Sequence, residues 1–315
     1  MVGVVARSKN NAVKGYLFVI LAALMWASSG TAGKALFEGG MKPFELVQVR
    51  VTVSSILILL ALIAFSRNLL RIRAKDIPFF VLLGITMAIV TGSYFYTISK
   101  IQVAAAILIQ YLAPIFVAIF SMLFWKEHPS FSKIAALFLA FGGCYLVVGG
   151  YDVELLEMNR LGILGGLISA IAFAGYSLLG ERAMHRYKPW TVLFYALAIS
   201  VPTWHLIYPP FTYLTAGFTL VQWGWILYIS IVGTILPFGL FFAGINYIRS
   251  TRASITAILE PIFAGFLAFA LLGEKLQLPQ MIGGVLVIAA IVLLQVQQEQ
   301  DGMAPATIRS EGKRS

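Results

Sequence analysis

Long apolar segments recur along almost the whole chain, and they decide what it can fold into. The first runs from Gly15 to Phe37 and reaches the roughly 20 residues that an α-helix needs to cross the hydrocarbon core of a bilayer. Only 11% of the 315 residues are charged, whereas a soluble domain carries about 25%. The chain is therefore predicted to be an integral membrane protein with no separate soluble domain.

Charged or Pro/Gly-containing breaks divide the chain into ten predicted spans. A lone segment in lipid must satisfy its own backbone hydrogen bonds, so each span is predicted to be helical and the fold all-α and polytopic. Pro114 and Pro261 fall inside the fourth and ninth spans, where proline is expected to kink a helix. The spans lie near 15–37, 43–65, 76–97, 101–125, 131–149, 161–181, 189–209, 221–246, 252–272 and 279–297.

The distribution of Lys and Arg predicts the orientation of these spans. With the N-terminus in the cytoplasm, seventeen of the 23 basic residues fall in cytoplasmic segments, five fall outside, and Arg50 lies within a span. Membrane proteins concentrate basic residues in cytoplasmic loops. Both termini are therefore predicted to be cytoplasmic, and the net charge of +10 does not indicate nucleic-acid binding.

The chain aligns with itself at an offset of 147 residues. This shift places the Pro-Ile-Phe triplet of 114–116 on that of 261–263, and Glu127 on Glu274. Because each half holds an odd number of spans, the second half must enter the membrane from the opposite side. The predicted organisation is a cytoplasmic segment 1–14, two inverted five-helix repeats at 15–150 and 160–298, and a cytoplasmic polar tail 299–315.

The stretches from Ala104 to Glu127 and from Ala253 to Glu274 resemble the two signature segments of the drug/metabolite transporter superfamily, in particular its ten-helix EamA branch. Trp26 is also a residue that such proteins commonly carry in the first helix. The resemblance implies a carrier in the bacterial inner membrane that alternates access to a central cavity between the two halves. Similar proteins move amino acids, nucleobase compounds and vitamins, so the substrate stays open.

Glu260 and Arg50 are charges placed well inside predicted spans. A carboxylate at bilayer depth usually faces a water-filled cavity or a partner. Glu260 could meet a substrate ammonium group, exchange a proton, or serve helix packing beside Pro261. Arg50 could bind a substrate carboxylate, snorkel to the interface, or pair with Glu45. Together in one cavity, the two charges would suit a zwitterion.

Six polar and aromatic residues complete the candidate substrate site. Their positions on the helices predicted to surround the cavity make them candidates, while packing or interhelical hydrogen bonding is the alternative for each. They are Gln110, Trp26, Ser29, Tyr94, Tyr176 and Phe238.

No pattern of catalytic or metal-binding residues connects the three histidines, and no phosphate-binding Gly-rich loop is present in the sequence. The sequence therefore predicts a secondary transporter without cofactor or metal, rather than an enzyme or a channel. The expected substrate is an amino acid or a related amine, with export favoured and with proton exchange and facilitated diffusion both open. One chain in the lipid bilayer is sufficient for such a cavity.

Overall fold

The computed structural model describes residues 2–38, 40–101, 103–125, 130–151, 159–272, 277–296 and 304–311. These parts of the chain are helical and contain no strand. The helices are α1 Val2–Glu38, α2 Pro43–Phe65, α3 Ile77–Ile98, α4 Val103–Gln110, α5 Ala113–Trp125, α6 Phe131–Val147, α7 Arg160–Met184, α8 Pro189–Ile207, α9 Thr212–Thr215, α10 Leu220–Ser230, α11 Leu236–Thr256, α12 Leu259–Leu272, α13 Leu278–Val296 and α14 Pro305–Glu311.

Seven helical segments of the described chain are long and apolar enough to cross a membrane. Two shorter apolar helices, Phe131–Val147 and Leu278–Leu294, accompany them. Large apolar side chains cover the outside of the bundle, and Phe65, Leu206 and Leu220 are each more than 85% exposed. Exposed apolar surface on this scale is suited to lipid rather than water. The all-helical membrane fold is confirmed, while the count of ten spans and the orientation stay predictions.

The predicted fourth and ninth spans are not continuous helices. A turn at Tyr111 and Leu112 separates α4 from α5, and a turn at Ala257 and Ile258 separates α11 from α12. The two prolines that follow these turns lie in the first turn of α5 and of α12, where a missing N–H breaks no helical hydrogen bond. The expected proline kinks are therefore wrong: each proline begins a new helix instead of bending an old one.

The predicted eighth and ninth spans meet at Arg249, where the backbone of α11 turns sharply with φ 66° and ψ 168°. Positive φ is unfavourable for a residue with a Cβ, and holding it costs about 1–3 kcal/mol. The connection therefore needs no loop, but it needs neighbouring contacts to hold the strained residue in place.

At its N-terminal end, α11 follows a π-helical turn at Ile231–Ile235, and Pro237 lies in the first turn of α11.

Close helix pairs form the scaffold around these breaks. α1 packs on α11, α3 on α7, and α6 on α13. At the α6–α13 crossing, a Cβ added to Gly143 would lie 2.6 Å from the carbonyl oxygen of Gly283, and one added to Gly283 would lie 2.5 Å from that of Gly143. The two backbones therefore touch, which only glycine permits at both positions.

Candidate functional site

A cavity of about 840 Å³ lies in the middle of the bundle and reaches from the two helix breaks to the end that holds Phe37 and Ile98. We call this end of the molecule the cavity end. Much of the wall is aromatic, and its polar groups are few, as in most sites for small organic ligands. Seven of the eight predicted site residues line it: Trp26, Ser29, Arg50, Tyr94, Gln110, Phe238 and Glu260.

Glu260 lies in the first turn of α12, directly after the second helix break. The positive end of a helix dipole stabilises a carboxylate by about 0.3–1 kcal/mol, whereas burying an unpaired charge costs several kcal/mol. No cation within the described residues forms a salt bridge with Glu260. Glu260 is only partly buried and lines the cavity, so its carboxyl group is available to a proton or to a cationic ligand.

Tyr111, in the first helix break, connects the two halves of the site. Its hydroxyl oxygen lies 2.7 Å from Oε2 of Glu260 and 3.0 Å from the carbonyl oxygen of Ala257. That carbonyl also accepts a hydrogen bond from the backbone N–H of Glu260 at 3.0 Å; residue 261, the usual donor in a continuous helix, is a proline without an N–H. Sequence reasoning missed Tyr111, since only the break in the helix turns its side chain toward Glu260.

Among the described residues that line the cavity, Arg50 is the one with a cationic side chain. It is 7% exposed, and its guanidinium carbon lies 5.2 Å from the ring centroid of Phe95, which is within cation–π range. Its buried Nε has no hydrogen-bond partner. Among the described residues it forms no ion pair with Glu45, and it faces the cavity rather than the lipid interface. A buried arginine without an anion is costly, so this side chain is suited to an anionic ligand.

Gln110, Ser29 and Tyr94 are polar residues of the same cavity wall. The Oε1 atom of Gln110 is buried without a partner, so its amide retains hydrogen-bonding capacity for a ligand. The Ser29 hydroxyl donates to the Trp26 carbonyl of its own helix. Tyr94 lines the same cavity as Glu260 and Arg50.

On the side opposite the cavity end, a layer of aromatic rings closes the cavity. Trp26 packs edge-on against Phe238 at 5.1 Å between ring centroids, and Phe173 lies 5.4 Å from Phe241. Tyr176 does not line the cavity: it is fully buried beneath this layer and stacks on Phe242 at 4.8 Å. A predicted site residue therefore belongs to the floor that separates the cavity from the other end.

An ion pair lies on the far side of this floor, at the end we call the sealed end. The Nε of Arg249 donates to Oε1 of Glu181 at 3.0 Å, and the backbone N–H of Ser250 donates to Oε2 at 2.7 Å. The Ser250 hydroxyl is also bonded to this carboxylate. Glu181 therefore holds the strained backbone at Arg249 through both of its oxygens.

The chain's last described helix, α14, closes the sealed end from below. Arg309 donates to the carbonyl oxygens of Met184 and Tyr187 and to Oδ1 of Asn246. The first two oxygens lie at and beyond the C-terminal end of α7, where helical carbonyls lack partners. Burial lowers the pKa of Arg309 from its ordinary value. The segment 299–315 is thus more than the predicted polar tail, because its described part docks on the bundle.

No group of three His, Cys, Asp or Glu side chains that could hold a metal ion occurs among the described residues. Glu127 and Glu274, which the offset of 147 residues aligns, lie outside the described residues.

Comparison with known proteins assigns the family. The model of the EamA-like transporter family matches residues 13–149 and again residues 160–296. An uncharacterized transporter of Archaeoglobus fulgidus is 33% identical over 64% of this chain and 70% of its own length. The uncharacterized inner membrane transporter YicL of Salmonella typhimurium is 24% identical over 92% of this chain and 98% of its own.

The fold has also been seen before. A chain of known crystal structure, 17% identical, superposes with a TM-score of 0.72 over 90% of this chain and 96% of its own length. At this identity the likeness concerns the fold alone. The sequence match over both halves, together with the broken helices around a central cavity, establishes that the chain belongs to the EamA-like transporter family.

Proposed function

We propose that this protein is a secondary transporter for an amino acid or a closely related amine, working by alternating access around the central cavity. The single observation that carries the proposal is that Arg50 and Glu260 line the same cavity and neither is paired with an opposite charge among the described residues. A ligand that carries both a carboxylate and an ammonium group would neutralise both. Trp26, Tyr94, Gln110, Ser29 and Phe238 are proposed to shape the remainder of the site.

The proposed scaffold is two inverted five-helix repeats, 15–150 and 160–298, with ten spans and both termini in the cytoplasm. In support, both halves interrupt the helix before the equivalent proline, Pro114 or Pro261. Discontinuous helices at a repeat interface are a recurring device of transporters, because their ends supply polar groups at mid-membrane. In this orientation the sealed end faces the cytoplasm and the cavity end faces outward, across the bacterial inner membrane.

The cavity is open toward one end of the molecule and closed toward the other, which supports alternating access. The cavity extends to the cavity end, while an aromatic layer, the Glu181–Arg249 pair and Arg309 close the sealed end. Transport requires these contacts to open and the walls near Phe37 to close. We propose export as the net direction, on the family resemblance, with protons as the coupling ion.

The test is a thermal-shift screen of the purified protein against amino acids, their decarboxylated amines, nucleosides and vitamins, followed by counterflow in liposomes with each compound that stabilises the protein. An amino acid or amine is expected to give the largest shift and saturable exchange. Uptake that never saturates would favour a channel, and chemical conversion of the compound would favour an enzyme. Stabilisation by nucleosides or vitamins alone would overturn the proposed substrate class.

A further inference from the structure

A second cavity, of about 360 Å³, lies between α3, α7 and α8 and shares no lining residue with the central cavity. α3 belongs to the first predicted repeat, whereas α7 and α8 belong to the second. The rim of this cavity carries large apolar side chains, and Ile89, Leu164 and Ile168 are each more than 40% exposed. Because exposed apolar surface of this bundle is suited to lipid, the cavity is a groove that opens toward the bilayer. We call it the lateral groove.

Small residues of α3 form the floor of the lateral groove. Ala88 and Gly92 lie one helical turn apart and are both buried. A Cβ added to Gly92 would lie 2.4 Å from the indole ring of Trp204, so a larger residue does not fit at this position. The hydroxyl groups of Ser93 and Thr203 donate to carbonyl oxygens of their own helices, at 2.6 and 3.0 Å. The groove therefore offers a surface suited to hydrocarbon rather than to a polar solute.

The lateral groove has the depth of one leaflet of a bilayer. Along α3 it extends from Ile85 to Tyr96, a rise of about 17 Å at 1.5 Å per residue. Half of a hydrocarbon core of about 30 Å is about 15 Å. Tyr96, Leu161 at the start of α7 and Ile207 at the end of α8 line the groove at the cavity end of the molecule. The dimensions therefore match one acyl chain of the leaflet at that end.

Two cations flank the lateral groove at the cavity end. Lys100 follows α3, and its Nζ lies 5.7 Å from the ring centroid of Tyr96. Arg160 is the first residue of α7 and precedes Leu161 of the groove. The two segments are neighbours, because a Cβ added to Gly162 would lie 3.1 Å from the Cβ of Lys100. Both cationic side chains are exposed, at the level where a lipid with its chain in the groove carries its phosphate.

We infer that the lateral groove is a binding site for one phospholipid, whose acyl chain lies between α3, α7 and α8 and whose phosphate lies between Lys100 and Arg160. Charge-assisted hydrogen bonds from Lys and Arg are the ordinary means of holding a phosphate group. A headgroup with net negative charge, such as phosphatidylglycerol, is favoured, because each nearby cation increases the affinity about fivefold. The site is separate from the proposed substrate site and does not depend on which compound is transported.

Native mass spectrometry of the protein in detergent, with phosphatidylglycerol added, counts the bound lipid. The wild type is expected to retain one lipid under conditions that remove all others. S93F fills the groove and should lose this lipid. K100Q/R160Q should bind phosphatidylglycerol about 25-fold more weakly, at fivefold for each cation, and should lose the preference for it over phosphatidylcholine. K42Q is the matched control, since Lys42 is an exposed cation at the same end of the molecule.

Retention of the lipid by S93F as by the wild type would overturn the inference, and so would an unchanged lipid preference of K100Q/R160Q. A protein dimer that S93F dissociates would show that a second copy of the chain covers the groove, which also overturns it. Thermal unfolding without added lipid should be equal for S93F and wild type. If S93F does not fold, I168W serves, because it narrows the groove from the exposed rim.

Fluorescence quenching locates the acyl chain, with Trp204 as the reporter on the floor of the groove. Phosphatidylglycerol with a brominated acyl chain is titrated into the wild type and into W204F, and the difference between the two is the signal of Trp204. Saturable quenching of this signal is expected in the wild type and little quenching in S93F. Identical quenching curves of wild type and W204F would place the lipid elsewhere and contradict the inference. Failure of the transport assay leaves these measurements intact.

Discussion

Arg50 and Arg249 are both largely buried arginines, but their surroundings differ. Arg249 at the sealed end donates to Glu181 at 3.0 Å, and the same carboxylate also binds Ser250. Arg50 in the cavity has an aromatic ring beside it and a buried Nε without a partner. The first arrangement is complete in the protein alone, whereas the proposed function completes the second with the carboxylate of a ligand.

The comparison indicates where the folded protein retains a destabilising side chain. A buried charge without a partner lowers the stability of the folded protein, so it persists where binding requires it. A charge with a full set of partners stabilises one conformation and binds nothing further. Mutations at the two places should therefore have opposite signatures, with stability affected at the sealed end and ligand affinity affected in the cavity.

The largest effect is expected from E181Q. It leaves the Arg249 cation buried beside a strained backbone, and breaking a buried pair from one side costs about 3–5 kcal/mol. Thermal unfolding in detergent should show a clear loss of stability. The double variant E181L/R249M should recover part of it, because no unpaired charge remains. Equal stability of E181Q and wild type would show that the pair does not hold the sealed end.

E260Q is expected to reduce the affinity for an amine ligand on the order of 100-fold, because hydrogen bonds between charged groups are worth about 1.5–3 kcal/mol. The fold should remain, since the glutamine has the same shape and no salt bridge is lost. Binding is measured by the ligand-dependent thermal shift, with E45Q as the matched control. An unchanged affinity in E260Q would remove Glu260 from the site.

R50Q should separate the two arginines most clearly. Its unfolding temperature is expected to equal or exceed that of the wild type, because it removes an unpaired buried cation, whereas R249Q should unfold earlier. At the same time R50Q should bind carboxylate-bearing ligands about tenfold more weakly. Destabilisation of R50Q as large as that of R249Q would mean that Arg50 also has a structural partner.

The smallest effect is expected from R309Q, at the outer layer of the sealed end. It removes the donors to the carbonyl groups of Met184 and Tyr187, and a single capping interaction is worth about 1 kcal/mol. A small drop in the unfolding temperature should accompany faster proteolysis of the segment around α14. If proteolysis of this segment is unchanged, docking of α14 does not depend on Arg309.

Hydropathy alone predicted the helical membrane fold, because the length and apolar character of a span are local properties. The breaks at Tyr111 and Ala257 could not be predicted in this way, since a two-residue turn inside an apolar run leaves the hydropathy unchanged. The prolines that follow were the available signal, and they were interpreted as kinks. A proline shows where a helix loses an N–H, but not whether the helix continues.

Contacts between residues far apart in the chain could not be predicted from the sequence either. Glu181 and Arg249 are 68 residues apart in the chain, and no sequence pattern indicates that they meet. Glu260 and Arg50 could be selected as candidates because a charge within an apolar span is visible in the sequence, and both line the cavity. Tyr176 was misplaced for the opposite reason: an aromatic residue on a predicted cavity helix can equally belong to the layer beneath the cavity.

The most direct test of the central claim uses three ligands and two variants. The amino acid that best stabilises the wild type is compared with its decarboxylated amine and its deaminated acid, by binding to R50Q and E260Q. We predict that E260Q loses affinity for the amine but not for the acid, and that R50Q loses affinity for the acid but not for the amine. Wild-type affinity of both variants for all three ligands would contradict the account.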